Sequence, residues 1–426
     1  MTESSSAPPP HYRRNAIAFV VDYVFFAVAL SFGSPSSVLP AFVSQFTSSA
    51  PVIGLVSTVF NGGWLLPQVV AARVINDKPR KKPYLMMGMS GRIAFWITAL
   101  GLWVGLAGRP TKMLALFFAS LAVFAMTDGL ASVAWFDILA RAIPLKRRGR
   151  LMGIAQVLSG LAGLGVGVAI TLILDSPRLP FPNNYAVIFA LAGLAFTPST
   201  IALALLRETE TAAGTSEGSK RGQNGWLTPL LRDAAFRRLL ASRVLVGMVA
   251  MATPFYVVHA TDVLNLPVSL VGGFVAAQQV ARMASGALLG PISDRWGPSA
   301  AIRISSAITI GGPLFALVAH AAGGGGLVQL YPLVYVVLGV YNSASMLGFY
   351  SYLIEIAPDN MRPSYVGLGN TIQGVLTLAP TVGGWLLEAT SYTVLFSTTA
   401  ALVFLGFLIS LRLGPPVQTT LAESRP

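Results

Sequence analysis

Apolar stretches long enough to cross a bilayer recur twelve times along this chain. They run at roughly 15–44, 50–74, 84–107, 112–136, 151–174 and 185–206, then at roughly 240–262, 269–292, 299–321, 328–352, 364–388 and 392–413. Each can form a helix spanning a hydrocarbon core of ~30 Å, which takes about 20 residues. Polar breaks separate them, and the longest break lies in the middle. Residues 207–239 open with the low-complexity run ETETAAGTSEGSKRGQNG and end in a basic amphipathic stretch, Leu230 to Leu240. This predicts a flexible linker followed by a surface helix. The expected organisation is a disordered tail (1–14), a first six-helix bundle (15–206), the linker (207–239), a second six-helix bundle (240–414) and a second tail (415–426).

Composition places the chain in lipid. Of 426 residues, 54% are hydrophobic and 11% charged, against about a quarter charged in a soluble domain. The formal net charge of +13 would point to nucleic acid in a soluble protein. Here the basic residues sit in short connections, where topology accounts for them. One set of connections carries Lys78, Arg80, Lys81 and Lys82, then Arg141, Lys146, Arg147, Arg148 and Arg150, then the linker cations, Arg295 and Arg362; the alternate set carries only Arg109, Lys112 and Arg178. The basic set belongs on the cytoplasmic side with both termini, which requires an even number of spans. The expected setting is a bacterial inner (plasma) membrane, and nucleic acid is not an expected partner. No cysteine is present, which excludes disulfides and thiolate chemistry. His11, His259 and His320 are far apart in sequence, so no metal site and no cofactor are expected.

The two halves echo each other. Pro144, Arg148, Gly153 and Gly160 recur at one constant offset as Pro358, Arg362, Gly367 and Gly374, and Asp77-Lys78 has a counterpart in Asp294-Arg295. The loop Gly290-Pro-Ile-Ser-Asp294-Arg295-Trp-Gly297 resembles the Gly-x-x-x-Asp-Arg-x-Gly signature of the major facilitator superfamily. The first-half copy around Asp77, Lys78 and Arg80 keeps the acid and the cations but neither glycine. This resemblance, which covers nearly the whole chain in topology, implies an all-α membrane fold of twelve helices in two pseudo-symmetric six-helix bundles. It implies a carrier rather than an enzyme, moving a small solute by alternating access. It also implies that Asp77, Lys78, Asp294, Arg295, Arg148 and Arg362 belong to gating loops that latch neighbouring helices through charge pairs and helix ends. The fifth span, Ser159-Gly160-Leu-Ala-Gly163-Leu-Gly165-Val-Gly167, has the glycines but not the proline of the family's drug–proton antiporters. A Pro380-Thr-Val-Gly383-Gly384 pattern stands in span eleven instead.

Charges inside spans mark function by default, because the bilayer makes them costly. Asp22 lies about 10 Å in from Asn15, Arg92 about 15 Å from Lys82, and Asp128 about 14 Å from Asp137, taking the helical rise of 1.5 Å per residue. All three share the cytoplasmic half of the first bundle. They form a candidate proton- or cation-coupling site; a permanent structural ion pair is the other arrangement the same residues allow. Arg282 lies about 18 Å from Asp294 on a face shared with Gln278 or Gln279, suited to an anionic or hydroxylated solute. Further polar stripes predict a wet interior: Asn61, Trp64 and Gln68; Gln156 and Ser159; Asn342 and Ser345; Asn370, Gln373 and Thr377. His259, Tyr256 and Asp262, near the outer end of span seven, are expected to form a water-exposed interfacial cluster. The protein is thus expected to be a monomeric secondary active transporter for a small solute, with proton coupling. The alternatives are a membrane sensor or assembly factor on a carrier scaffold, or a gradient-independent facilitator.

The cysteine-free chain makes the orientation testable. A single cysteine at Ser219 should react with a membrane-impermeant maleimide only after cells are permeabilised, whereas one at Gly324 should react in intact cells. The opposite pattern inverts the orientation.

Overall fold

A computed structural model describes residues 11–75, 78–208, 233–323, 326–358 and 361–414. Asp77 and most of the linker lie outside these residues. The described chain is helical, with twelve spans. Six make up the first half: α1 Tyr12–Phe32, α2 Ala50–Ile75, α3 Lys82–Trp103, α4 Pro110–Ala142, α5 Leu145–Leu174 and α6 Asn183–Ala204. The second half begins with α7, Ala234–Val263, and continues with α8, Leu270–Trp296, and α9, Pro298–Ala322. Then come α10, built from Pro332–Ala344, Ser345–Tyr350 and Ser351–Ile356, α11, built from Arg362–Leu376 and Ala379–Ala389, and α12, Tyr392–Ser410.

Ten of these spans are long and apolar enough to cross a membrane on composition alone; α8 and α11 are the two outside that set. The reason is chemical. α8 carries Gln278, Gln279 and Arg282, and α11 carries Asn370 and Gln373 and is interrupted at Thr377 and Leu378. Polar or broken spans are tolerated only where protein or a water-filled cavity, not lipid, meets them.

Helix ends follow local sequence signals. Proline stands in the first turn of α4, α9, α10 and α11, where its missing N–H costs nothing. Gly323 ends α9 in the left-handed conformation (φ 61°), which glycine adopts without strain. Basic side chains from neighbouring helices close several C-terminal carbonyl ends. Lys82 Nζ donates to the carbonyls of Ala204 (2.6 Å) and Leu206 (2.8 Å) at the end of α6, and Arg14 Nε donates to Leu205 (2.9 Å). Arg148 Nε donates to the Ile143 carbonyl (2.8 Å) and its Nη2 to Ala140, so it caps α4. Arg303 does the same for α12 through Ser410 and Leu413. Cations at helix C-termini satisfy orphan carbonyls and oppose the negative end of the dipole.

Contacts divide the chain into two units: Met1–Ser34 with Val59–Ser216, and Pro35–Thr58 with Glu217–Pro426. Pro35–Thr58 thus falls in the second unit. Within the first unit α1 packs on α5 and α6, and α3 on α4 and α6; within the second, α7 packs on α11 and α12, and α9 on α10 and α12. These are equivalent pairings, as a repeat requires. In the first unit Phe95, Phe124 and Phe196, from α3, α4 and α6, form a triangle with ring centroids 5.0–5.4 Å apart.

The second unit begins earlier than the apolar pattern indicates. α7 starts at Ala234, with Phe236, Leu239 and Leu240 buried. The described part of the Leu230–Leu240 stretch, from Ala234 on, therefore forms the first turns of a span, not a surface helix. Asp233 caps it, accepting from the Ala235 (2.8 Å) and Phe236 (3.1 Å) amides and from the Tyr365 hydroxyl (2.7 Å) on α11.

Glycine sets the closest helix approaches. A methyl at Gly129 on α4 would lie 2.3 Å from the Trp64 carbonyl oxygen, and one at Gly383 on α11 would lie 2.3 Å from that of Met251. Gly384 meets the Ala50 and Pro51 backbone in the same way. The Pro380–Gly384 pattern is therefore a packing surface. Gly153 and Gly165 on α5 face open space instead, so helix packing does not explain them. Gly129→Leu should lower stability by about 1–3 kcal/mol through overpacking, whereas Gly153→Ala should raise it by up to about 1 kcal/mol. Thermal unfolding in detergent followed by tryptophan fluorescence checks both.

Candidate functional site: a buried charge cluster in the first unit

The three charges singled out by sequence converge. Asp22, Arg92 and Asp128 are each less than a tenth exposed. Arg92 Nη2 lies 3.7 Å from Asp22 Oδ1. A hydroxyl links them more tightly: Arg92 Nη1 donates to Ser199 Oγ at 2.6 Å, and Ser199 donates onward to Asp22 Oδ1 at 2.5 Å. Arg92 Nη1 also reaches Thr200 Oγ1 at 3.1 Å, and Trp135 Nε1 donates to Asp22 Oδ2 at 2.7 Å. Asp128 accepts from Trp64 Nε1 at 3.2 Å and lies close enough to feel the charges of Arg92 and Asp22. The guanidinium sits over the rings of Phe196 (5.0 Å) and Phe26 (5.5 Å), a favourable placement for a desolvated cation. Helices α1, α2, α3, α4 and α6 each supply a part.

The arithmetic of charge is the site's main property. Two carboxylates face one guanidinium in low dielectric, where an uncompensated charge is expensive. One added proton makes the cluster neutral. Ser199, Thr200 and Trp135 were not legible as site residues. The run Pro198-Ser199-Thr200 looks like an ordinary polar interruption of α6, and only the fold shows which helix it faces.

The remaining predicted residues are dispersed. Trp64 turns to Asp128, and Gln68 Nε2 donates to the Trp64 carbonyl (3.0 Å). Gln278 accepts from Ser36 Oγ at 2.9 Å. Gln279 and Arg282 are half-buried on α8 and Gln373 on α11, while Asn61, Gln156, Asn342 and Asn370 are exposed. Among the gating residues, Lys78, Asp294 and Arg295 are exposed. Asp294 occupies the last turn of α8, not a helix N-terminus, and Arg295 lies against the Trp296 ring at 5.3 Å. Among the described residues no ion pair involves Asp294. The Arg362 side chain lies outside the described residues.

The histidine cluster needs correcting. His259 and Tyr256 are fully buried, not water-exposed; only Asp262 of that trio is exposed. His259 Nδ1 lies 2.9 Å from the Tyr331 hydroxyl and its Nε2 lies 3.0 Å from His320 Nδ1. Two histidines far apart in sequence therefore meet, although among the described residues no group of three or more His, Cys, Asp or Glu is placed to hold a metal.

The Major Facilitator Superfamily model matches residues 23–377. The chain belongs to the Major Facilitator Superfamily. It is similar to an uncharacterized protein of Mycobacterium tuberculosis (strain ATCC 25618 / H37Rv), 22% identical over 369 positions covering 82% of this chain and 67% of that one. Its fold is similar to that of a D-xylose–proton symporter, with a TM-score of 0.69 and 15% identity over 94% of this chain and 98% of the other. A bacterial homologue of the iron transporter ferroportin, in its inward-facing state, gives 0.70 and 13% over the same shares. A POT family transporter in complex with 5-aminolevulinic acid gives 0.69 and 12% over 92% and 94%. A superfamily member with this fold is a membrane transport protein.

The cluster's internal economy can be measured. Arg92→Met strands Asp22 without its counter-charge and should cost about 3–5 kcal/mol, whereas Ser199→Ala should cost about 1–3 kcal/mol. The double variant Asp22→Asn/Arg92→Met should lose less than the sum of its single changes. Detergent melting curves of wild type, Arg92→Met, Asp22→Asn and the double variant give the coupling, with Ser199→Ala measured alongside.

Proposed function

We propose that the protein is a secondary active transporter that moves a small solute by alternating access and couples that movement to protons through Asp22 and Asp128. The observation that carries this is the two-to-one ratio of buried carboxylates to guanidinium in the first unit. A carboxylate that must exchange partners as a carrier rocks is stable in both states only if something replaces the lost partner. A proton does so without leaving a bare charge in the hydrocarbon region.

Asp22 and Asp128 take different parts. Asp22 is held by Ser199, Trp135 and Arg92, so it keeps Arg92 oriented. Asp128 is held by one indole N–H, so it is the acid that gains and loses the proton. A gradient-independent facilitator would have no use for this excess charge. The cytoplasmic placement of both termini, residence in the plasma membrane and a monomeric state complete the proposal, supported by the basic bias of the inner connections.

The test uses proteoliposomes on a solid-supported membrane. A panel of solutes is applied with and without a pH step, and solute-dependent proton currents are recorded. Wild-type protein should give them. Asp128→Asn should abolish pH-driven accumulation by at least about tenfold, the effect of losing a committed proton-transfer group, while solute exchange across the membrane persists. If Asp128→Asn and Asp22→Asn both retain full pH-driven accumulation, proton coupling through this cluster is wrong.

A further inference from the structure

The second unit holds a half-buried cation within a span. Arg243 lies on α7, about ten residues in from its start, or about 15 Å along the helix. Its Nε and Nη1 are buried without a hydrogen-bond partner. Arg92 also leaves its Nε without a partner, but its Nη1 is held by Ser199 and Thr200 and its Nη2 lies against Asp22.

The surroundings of Arg243 are poor in counter-charge. Gly369 on α11 presents no side chain to it: a methyl there would sit 3.6 Å from Nη1. The Tyr341 and Tyr350 phenols of α10 lie close enough to feel its charge, and each carries a hydroxyl able to donate to an anion. Among the described residues the acids of the second unit are committed or remote. Asp233 is taken by two amides and the Tyr365 hydroxyl. Asp262, Asp294, Glu355 and Glu388 are exposed near the ends of their helices.

The repeat sharpens the contrast. Arg243 stands on α7 near the place Asp22 takes on α1. The offset that relates Pro144 to Pro358 relates Arg92 to Ser306 and Asp128 to Asn342. The second unit thus lacks every charged partner that the first unit supplies to its own arginine. A guanidinium with two buried, idle nitrogens has a strong requirement for an acceptor, and its two planar edges, each pairing one of these nitrogens with Nη2, fit the paired oxygens of a carboxylate or phosphate.

We infer that Arg243, with the Tyr341 and Tyr350 hydroxyls, is the binding site for the carboxylate or phosphate group of an anionic solute carried by this protein. The inference rests on the transporter reading above and adds the solute's charge class. A lipid headgroup could offer the same oxyanion, so the test separates the two sources.

Purified protein in phosphatidylcholine nanodiscs, which contain no anionic lipid, is titrated with inorganic phosphate, lactate or citrate, and with sorbitol as the neutral comparison, at fixed ionic strength. The melting midpoint is recorded. At least one of the three anions should raise it in a saturable manner and sorbitol should not. Arg243→Gln should weaken the apparent affinity for that anion at least about tenfold, the loss expected for a desolvated bidentate pair. Arg243→Lys should recover part of it. Size-exclusion profiles and unliganded melting of both variants establish that they are folded. A smaller effect of the anions in nanodiscs doped with phosphatidylglycerol would show headgroup competition for the same site. The inference is overturned if none of the anions shifts the midpoint in phosphatidylcholine, if Arg243→Gln responds like wild type, or if phosphatidylglycerol alone stabilises in an Arg243-dependent way. Solute-dependent proton currents carried by a neutral solute, equal in wild type and Arg243→Gln, would overturn the anion while leaving the carrier reading intact. Absence of such currents for every solute, with Arg243-dependent anion binding preserved, would overturn proton-coupled transport and leave the site standing.

Discussion

A charge or an orphan carbonyl inside a bilayer has no water to turn to, so the protein must answer it from its own atoms. Much of this fold is that answer. At helix C-termini basic side chains of neighbouring helices are spent on carbonyls: Lys82 of α3 on α6, Arg148 of α5 on α4, Arg303 of α9 on α12. Lys82 and Arg148 thus serve both as helix caps and as members of the basic set of connections. In the span interior the first unit answers Asp22 with a serine, a tryptophan and an arginine drawn from three other helices. Those bonds tie α1 to α3, α4 and α6, so the chemistry and the packing of that unit cannot be altered independently.

The helical organisation was plain in the sequence because lipid imposes a length on each span and an even count follows from loop charge. The convergence of Asp22, Arg92 and Asp128 was legible for a related reason. Once each helix direction is known, depth follows from residue number, and three charges at one depth in one bundle have little alternative to meeting. Azimuth is what the sequence does not carry. Ser199, Thr200 and Trp135 lie on faces that only packing assigns, and Gln156 or Asn342 could not be told from residues that turn inward.

Arg243 was hidden by a boundary. With the seventh span taken to start near residue 240, an arginine at 243 looks like one more interfacial cation. The structure starts α7 at Ala234, capped by Asp233 and buried through Phe236, Leu239 and Leu240, and the same arginine then lies deep. Three cations, Arg232, Arg237 and Arg238, had made that first stretch look like a linker. Long basic side chains can lie along an apolar helix and return their charge to the interface, so they do not mark its beginning. His259 was misplaced for the converse reason: position near a span end implied water, yet Tyr331, Tyr392, Phe396 and His320 enclose it.

The two halves repeat the scaffold without repeating the chemistry. Equivalent helices pair in both units, and glycine permits the same close approaches, at Gly129 in one and at Gly339 and Gly383 in the other. What differs is the sign of the unanswered charge. The first unit has one carboxylate too many, and the second has a guanidinium with idle donors. Each defect alone would be a cost without return. Under the function and the site proposed above, the two halves take different visitors, a proton for the acid and an oxyanion for the arginine. A solute bearing a carboxylate or phosphate, moved together with a proton, meets both requirements with a net charge near zero. That is the form in which a charged solute crosses a low-dielectric barrier at least expense.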